Sequence, residues 1–449
     1  MTAIPTDARD WVYRALHTLE REALRSADTH LLRLDFPGFP DIAFYFKDEA
    51  AHPSGSLKHR LARSLYLYAL CNGRLREGQG VVDASSGSTA ISEAWFARLL
   101  GLHFTAVMPA STAPGKIREL RALDATCDLV DDPAQVSTRI AAHVDAGACC
   151  LDQFGLAERA TDWRGNNNIA ESIIAQLARE AHPQPTWIVC GAGTGGTSAT
   201  IGRYLRYRRL PTRLCVAEPT GGAFAEGWRR SDRAACASQS TWIEGIGRRR
   251  VEPCFLFEVV DAVEEVDDAA SIAGAWLLRD RIGYRYGGSS GTNLVACLRL
   301  AARMRARGQG GAIVTLLCDR GERYDDTVFA SDWLARHAID IAPWQSRLQS
   351  CIDGGVWAEP VTGCGDRRAI MEYHVRFGHS LAAPDAIEDA IRSVDMAATI
   401  AIDAADGYLR VATWIVAADL LQALARAGEP VSEAQVVEQP SVCCGDCSG

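Results

Sequence analysis

The sequence predicts an α/β fold built on a mostly parallel sheet, and three observations carry that prediction. From Gly80 to about Asp319, short β-rich runs alternate with helical patterns, the mark of successive βαβ units. The apolar runs lack a clean period of two, as expected of strands covered on both faces. Loops rich in Gly, Ser and Thr stand where strand gives way to helix, the place where such sheets bind their ligands.

The elements follow in order. Lys58 opens a helix whose apolar face is Leu61, Leu65, Tyr68 and Leu70, with Gly73 as its stop. Gly80–Ala84 reads as strand, Thr89–Leu100 as helix ending at Gly101, Phe104–Met108 as strand and Lys116–Leu123 as helix. Trp187–Cys190 is strand, Ser198–Tyr207 helix and Leu214–Ala217 strand. Leu294–Ala306 is helix, and Ile313–Cys318 closes the series as a continuous apolar strand. After about Ile341 the pattern changes. Residues 342–383 are irregular and rich in Gly, Pro and Trp. Pro384–Ala401 and Tyr408–Ala425 then read as two helices joined at Ala405-Asp406-Gly407, an αα-hairpin, and Gly428–Gly449 reads as a loose tail.

Length and charge narrow the function classes. A chain of 449 residues has room for two or three structural units. A net charge of -9 and the lack of a basic stripe argue against a nucleic-acid partner. Residues 1–14 carry Asp7, Asp10 and Trp11 and no apolar h-region, so they do not read as a secretory signal. The most apolar long stretch, Tyr408–Leu424, is interrupted by Arg410 and Asp419, so no membrane span is expected. A soluble cytoplasmic protein is the expectation. Of the 15 cysteines most lie singly in apolar runs, as Cys190, Cys215 and Cys318 do, and read as small buried hydrophobes. Cys443, Cys444 and Cys447 have Cys-x-x-Cys spacing at the end of the chain. That spacing suits a metal or a labile disulfide, but no further ligands lie nearby, and an exposed thiol-bearing tail is the preferred reading.

Chemistry concentrates in a few loops. Pro53-Ser54-Gly55-Ser56-Leu57-Lys58 places one lysine at a helix start. The macrodipole there disfavours a cation and favours the neutral amine that condenses with an aldehyde, while a surface lysine that simply opens a helix fits the segment equally well. Ser85-Ser86-Gly87-Ser88-Thr89 offers N–H groups and hydroxyls to an anion, or serves as a plain helix cap. Gly191-Ala192-Gly193-Thr194-Gly195-Gly196-Thr197 is the stronger signal, because its four glycines let backbone approach a phosphate. It also fits Gly-x-Gly-x-x-Gly in part, with Glu218 about where a dinucleotide-binding acid would sit, so a nicotinamide-dependent oxidoreductase stays open. A non-catalytic nucleotide- or amino-acid-binding module stays open too. Glu244-Gly245-Ile246-Gly247 and Gly287-Gly288-Ser289-Ser290-Gly291-Thr292-Asn293 complete the set.

In this order the motifs resemble the cysteine synthase and cystathionine β-synthase family of fold-type II pyridoxal-phosphate enzymes, over roughly residues 30–320. Ser56-Leu57-Lys58-His59-Arg60 and Ala84-Ser85-Ser86-Gly87-Ser88-Thr89-Ala90 are most similar to segments of bacterial L-cysteine desulfhydrases. The resemblance implies two doubly wound parallel or mixed-sheet domains with a C-terminal helical extension. It implies a catalytic core over 1–340, with a small domain at about 60–160 inserted in the large one, and an extension over 341–449. By the same resemblance Lys58 is the catalytic lysine that carries pyridoxal 5'-phosphate. Gly193, Thr194, Gly195, Gly196 and Thr197 hold its phosphate, Ser289 faces its pyridine nitrogen, and Gly245 and Ser88 lie beside it. Ser85, Ser86, Gly87, Thr89 and Gln153 bind the substrate carboxylate, and no metal is expected. Ser88 stands where the family usually has Asn, and His59 where it usually has Asp. The implied reaction is β-elimination of L-cysteine or a related β-substituted alanine to pyruvate, ammonia and sulfide, in a homodimer, with a β-replacing synthase as the alternative.

Overall fold

A computed structural model describes residues 6–26, 28–357, 365–366, 371–394, 398–413, 415 and 417–439. Cys443, Cys444 and Cys447 lie outside the described residues. The chain divides into two compact units, 1–225 with 236–364, and 226–235 with 365–449.

The first unit holds two sheets. In the larger, strands run in the order Leu31–Leu34, Ile42–Asp48, Gly311–Leu317, Trp187–Gly191, Arg213–Pro219 and Ala262–Val266. Only the first pair is antiparallel. The smaller is parallel throughout, in the order Thr126–Val130, Phe104–Pro109, Val81–Ala84, Cys149–Cys150. The expected strands are therefore present, and both sheets are covered by helices, which explains the missing period-two alternation.

Each sheet has its own apolar core. Beneath the larger, Phe44, Phe46, Val189 and Ile313 pack with Leu294, Leu298 and Leu278. The helix Ala342–Gly354 joins this core through Leu348, Cys351 and Ile352, so the first unit runs on past residue 340. Around the smaller sheet, Val81, Phe104 and Phe96 pack with Leu65, Tyr66 and Leu70 of the helix Lys58–Cys71. Of the apolar face expected there, Leu65 and Leu70 are buried while Leu61 and Tyr68 are half-buried, and the buried aromatic is Tyr66. The stop at Gly73 is present, with φ +66° and its N–H bonded to the Leu70 carbonyl.

Three helices begin earlier than their apolar periodicity predicts. Gly196–Tyr207 and Gly288–Ala306 take the Gly- and hydroxyl-rich loops as their own first turns, and Pro114–Ala122 starts on its proline. Tertiary burial overrides the poor helix propensity of Gly and Ser in the first two of these turns.

The second unit corrects the αα-hairpin. The helices there are short, Pro384–Arg392 and Ala417–Arg426, and between them Thr399–Asp403 and Tyr408–Thr413 form a β-hairpin. With Met371–Arg376 and Val436–Gln439 the order is βαββαβ. The antiparallel sheet runs Thr399–Asp403, Tyr408–Thr413, Met371–Arg376, Val436–Gln439, a ferredoxin-like arrangement. Its two helices pack Ile387, Ile391, Leu420 and Leu424 against Tyr373, Val375, Leu409 and Val411. The strands do alternate, with Leu409 and Val411 buried and Arg410 exposed, but their alanines also satisfy a helical reading. Val436–Gln439 is likewise a paired strand and no loose tail.

Candidate active site

The loops at the carboxyl ends of the strands of both sheets meet at one cavity of about 820 Å³. Lys58 lies in its wall, as do the loop Ser85–Thr89, Gln153, the loop Gly193–Thr197, Gly245 and Ser289. Motifs spread over more than two hundred residues of sequence thus converge in one place.

Lys58 is the first residue of its helix, and its backbone N–H donates to Ser56 Oγ at 3.3 Å. Burial pushes its amine below the usual lysine range, against the opposing pull of Cys318 and Asp319. The preceding segment is locked to the larger sheet: the Leu57 N–H donates to the Cys318 carbonyl at 2.8 Å, and Ser56 bridges Asp319. A lysine that sheds its proton readily is thereby held on a rigid backbone.

The glycine loop is a close-approach structure. Gly195 caps the helix Gly196–Tyr207 at φ +88°, a left-handed conformation, and a Cβ there would lie 2.4 Å from the Cα of Phe255. A Cβ on Gly193 would meet the Gly245 carbonyl at 2.3 Å. The first-turn N–H groups of this helix have no intrahelical acceptor and carry the positive end of its dipole. Thr194 Oγ1 accepts from the Gly196 N–H at 3.3 Å, and Thr197 lies on the cavity wall.

In the other loop Ser85 Oγ accepts the N–H groups of Gly87 (3.3 Å) and Ala90 (3.2 Å) and so shapes the turn. Ser86, Gly87 and Thr89 line the cavity beside it. Gln153 is fixed from below. Its N–H donates to Asp83 Oδ2 at 3.1 Å and its side-chain amide to the Ala84 carbonyl at 2.9 Å. Ser88 donates to Asp319 Oδ2 and accepts from Arg323, both at 3.1 Å. Ser289, nearly buried, opens the helix Gly288–Ala306 beside Cys318. His59, the other departure from the family pattern, is buried between Glu22 (3.1 Å) and Ser54 (3.0 Å) and stays out of the cavity.

The sequence reading missed several groups. Cys318 and Asp319 both line the cavity, so Cys318 is more than core filling. Tyr324 donates to Asp319 at 2.7 Å, and Arg323 pairs with Glu119 at 2.7 Å. Lys116 and Glu244 form an ion pair at the cavity wall. The available signal was the polar residue directly after the apolar strand Ile313–Cys318, since ligands bind at strand carboxyl ends. Glu218, the acid that kept a dinucleotide reading open, is fully buried and accepts the N–H groups of Phe224 (3.0 Å) and Ala225 (2.7 Å). It caps a helix and does not line the cavity.

Beneath the loop Ser85–Thr89, Asp83 and Glu93 form a buried carboxyl pair. Burial pushes Asp83 up to about 6 and Glu93 well above its usual range, and both Glu93 oxygens lack hydrogen-bond partners among the described residues. An acid whose folded pKa is raised contributes fully below its unfolded pKa, and that contribution is lost as pH rises through the folded value. Stability is therefore expected to fall as pH rises from about 4.3, the ordinary glutamate value, with a slope of up to about 1.4 kcal/mol per pH unit per proton. Glu93→Gln should flatten that slope. Denaturant midpoints at pH 5 and pH 8 for both proteins measure it, and parallel slopes would refute the assignment of that slope to Glu93.

Among the described residues no helix is long and apolar enough to cross a membrane. The model of the pyridoxal-phosphate dependent enzyme family matches residues 24–319. An L-cysteine desulfhydrase from Mycobacterium tuberculosis is 52% identical over 347 residues, 76% of this chain and 94% of that protein. An N-(2-amino-2-carboxyethyl)-L-glutamate synthase from Ralstonia nicotianae is 33% identical over 66% of this chain and 86% of its own length. The crystal structure of an O-acetylserine-dependent cystathionine β-synthase from Helicobacter pylori superposes with a TM-score of 0.58 at 25% identity, over 68% of this chain and 97% of that one. Residues 365–449 of the second unit lie beyond the family match. The cavity suits the cofactor: a half-buried lysine with a depressed pKa, a glycine loop packed so closely that side chains on Gly193 or Gly195 would strike neighbouring backbone, and a hydroxyl-bearing wall. By sequence, by fold and by the donor set of its cavity, the chain belongs to the fold-type II pyridoxal-phosphate dependent enzymes.

Proposed function

We propose that this enzyme catalyses β-elimination of L-cysteine, giving pyruvate, ammonia and hydrogen sulfide. The observation that carries the proposal is the 52% identity to an L-cysteine desulfhydrase over 94% of that protein.

Pyridoxal phosphate, when bound, supplies the electron sink that acidifies the substrate Cα–H and lets a group on Cβ depart. Everything else falls to the chain. Lys58 Nζ would hold the cofactor's aldehyde, and the same amine is placed to take the substrate's Cα proton. Its low proton affinity suits the first role, and its fixed place at a helix start gives the proton transfer its proximity advantage. Gly193, Gly195 and Gly196 offer backbone donors to the phosphate, with the hydroxyls of Thr194 and Thr197 beside them. Ser289 would offer the pyridine nitrogen a neutral hydroxyl and no acid, an environment that would moderate the sink and favour elimination. Gly245 keeps the turn beside the ring free of a side chain. Ser85 shapes the turn in which Ser86, Gly87 and Thr89 meet the substrate carboxylate, and Gln153 adds a donor. Ser88 departs from the asparagine that the family pattern places beside the ring. Its hydroxyl proton is already given to Asp319, so the hold on the cofactor is weaker and the site releases product sooner. A cytoplasmic homodimer completes the proposal.

The synthase relatives support β-replacement as the second reading. Product analysis separates the two. With L-cysteine alone, pyruvate and sulfide are expected to accumulate in equal amounts. Faster formation of cysteine from O-acetylserine and sulfide than of pyruvate from cysteine would establish the synthase reading instead.

A further inference from the structure

Asp319 is a buried carboxylate whose only part in the scheme above is to accept the Ser88 hydroxyl, and the backbone fixes it beside Lys58. Ser56, two residues before Lys58, pairs with Asp319 in an antiparallel bridge. The Leu57 N–H bonds the Cys318 carbonyl at 2.8 Å, and the Arg320 N–H bonds the Gly55 carbonyl at 3.1 Å. The two segments therefore form one short paired unit, with the lysine on one strand and the carboxylate on the other. Both side chains line the cavity.

The carboxylate is only half used. Oδ2 accepts from Tyr324 at 2.7 Å and from Ser88 at 3.1 Å, whereas Oδ1 is buried without a hydrogen-bond partner among the described residues. Asp319 is 6% exposed, and an unsatisfied oxygen there is costly unless a cation or donor serves it at some stage. The strongest electrostatic influences on Lys58 after burial come from Cys318, Asp319, Arg248 and Cys190, in that order. Burial pushes the thiol of Cys318 up to about 11 and that of Cys190 higher still, so both remain neutral. Arg248 is a like charge, itself paired with Glu252 at 3.1 Å. Asp319 is thus the one carboxylate in that set. Burial pushes the Asp319 carboxyl above its usual range and Glu244 adds to that, while Tyr324, Arg323 and Ser88 favour its anion.

We infer that Asp319 is the counter-charge to Lys58, an electrostatic positioning residue that stabilises the ammonium formed when Lys58 takes up the substrate's Cα proton. The step balances: the Cα–H bond breaks, its electron pair stays with the substrate, an N–H bond forms on Nζ, and Asp319 stays anionic throughout. The inference rests on Lys58 as the cofactor lysine. Burial alone would make Lys58 a poor base, and the carboxylate restores part of its proton affinity, consistent with the opposing pulls on the Lys58 amine.

Asp319→Asn tests it, because asparagine keeps an oxygen that can accept from Ser88 and Tyr324 and removes only the charge. The full chain is cleared of cofactor and pyridoxal phosphate is added back over a range of pH. The bond is trapped with borohydride, and the modified peptide is identified by mass spectrometry. The midpoint for modification of Lys58 should move down by about one pH unit in Asp319→Asn, a tenfold loss of proton affinity. In the holoenzyme kcat should fall while KM stays within about twofold. Asp319→Glu, which keeps the charge, should bring the midpoint back toward wild type and serves if the asparagine variant folds poorly. Modification of Lys58 with an unmoved midpoint in Asp319→Asn would overturn the counter-charge and leave Asp319 as a hydrogen-bond hub. Adduct on a different lysine would overturn the cofactor-lysine reading itself.

Discussion

Lys58→Ala should abolish turnover and leave no cofactor bond that borohydride can reduce. Two roles are lost together: the amine that binds the aldehyde, and the base that removes the Cα proton. A positioned general base alone is worth roughly 10²- to 10⁴-fold, and loss of the covalent anchor compounds it. The rest of the site should survive, because Lys58 is the first residue of its helix and its apolar neighbours Leu65, Tyr66 and Leu70 hold that helix in the core. The variant should melt near the wild-type temperature and still bind the cofactor non-covalently, through the glycine cradle. The check is absorbance of the purified variant, followed by reduction and peptide mapping. A reduced adduct on another lysine, with activity retained, would sink the assignment.

Gly195→Val should be nearly as damaging, and by two routes at once. The sequence alone suggests that a side chain here lowers cofactor occupancy more than stability. The structure argues that both fall. Gly195 sits at φ +88°, where a β-branched residue is strained by about 1–3 kcal/mol. Its Cβ would lie 2.4 Å from Phe255 Cα and 2.6 Å from Phe255 N. Phe255 is fully buried and stacks on Phe224 with ring centroids 4.3 Å apart, so its backbone cannot withdraw cheaply. Overpacking of this kind adds about 1–3 kcal/mol. Thermal melts with and without added pyridoxal phosphate, and the ratio of cofactor to protein absorbance, separate the two losses. Gly193→Ala is the useful companion, since its Cβ would press only on the Gly245 carbonyl. It should cost occupancy with less stability. Full occupancy and a wild-type melt in Gly195→Val would mean the loop holds something other than a phosphate.

The fold of the first unit and most of its site were legible in the sequence because both rest on local chemistry. Continuous apolar runs announced covered parallel strands, and Gly/Ser/Thr loops at strand ends announced helix starts with free N–H groups. Lys58 was legible because a lysine at a helix N-terminus is electrostatically out of place. The second unit was misread for an equally physical reason. Residues 399–413 carry enough alanine that period-two and period-3.6 patterns fit almost equally, and only pairing with Met371–Arg376 decides for strand. The boundary of the helix Gly288–Ala306 was misjudged because Gly and Ser disfavour helix in isolation, and burial reverses that preference.

What the sequence offered by itself is a set of candidate parts: loops suited to anions, a lysine at a helix start, and the family order they follow. What only the tertiary structure decided is which parts share a charge. Ser88 and Asp319 are 231 residues apart, yet their side chains bond at 3.1 Å. Asp319 reaches Lys58's side through a backbone bridge that no local pattern records. Glu218, well placed by spacing for a ribose, is spent on capping a helix. Propensity and periodicity act over a few residues. Burial and Coulomb interactions act through space, so the proton affinities that govern this chemistry exist only once the chain has folded.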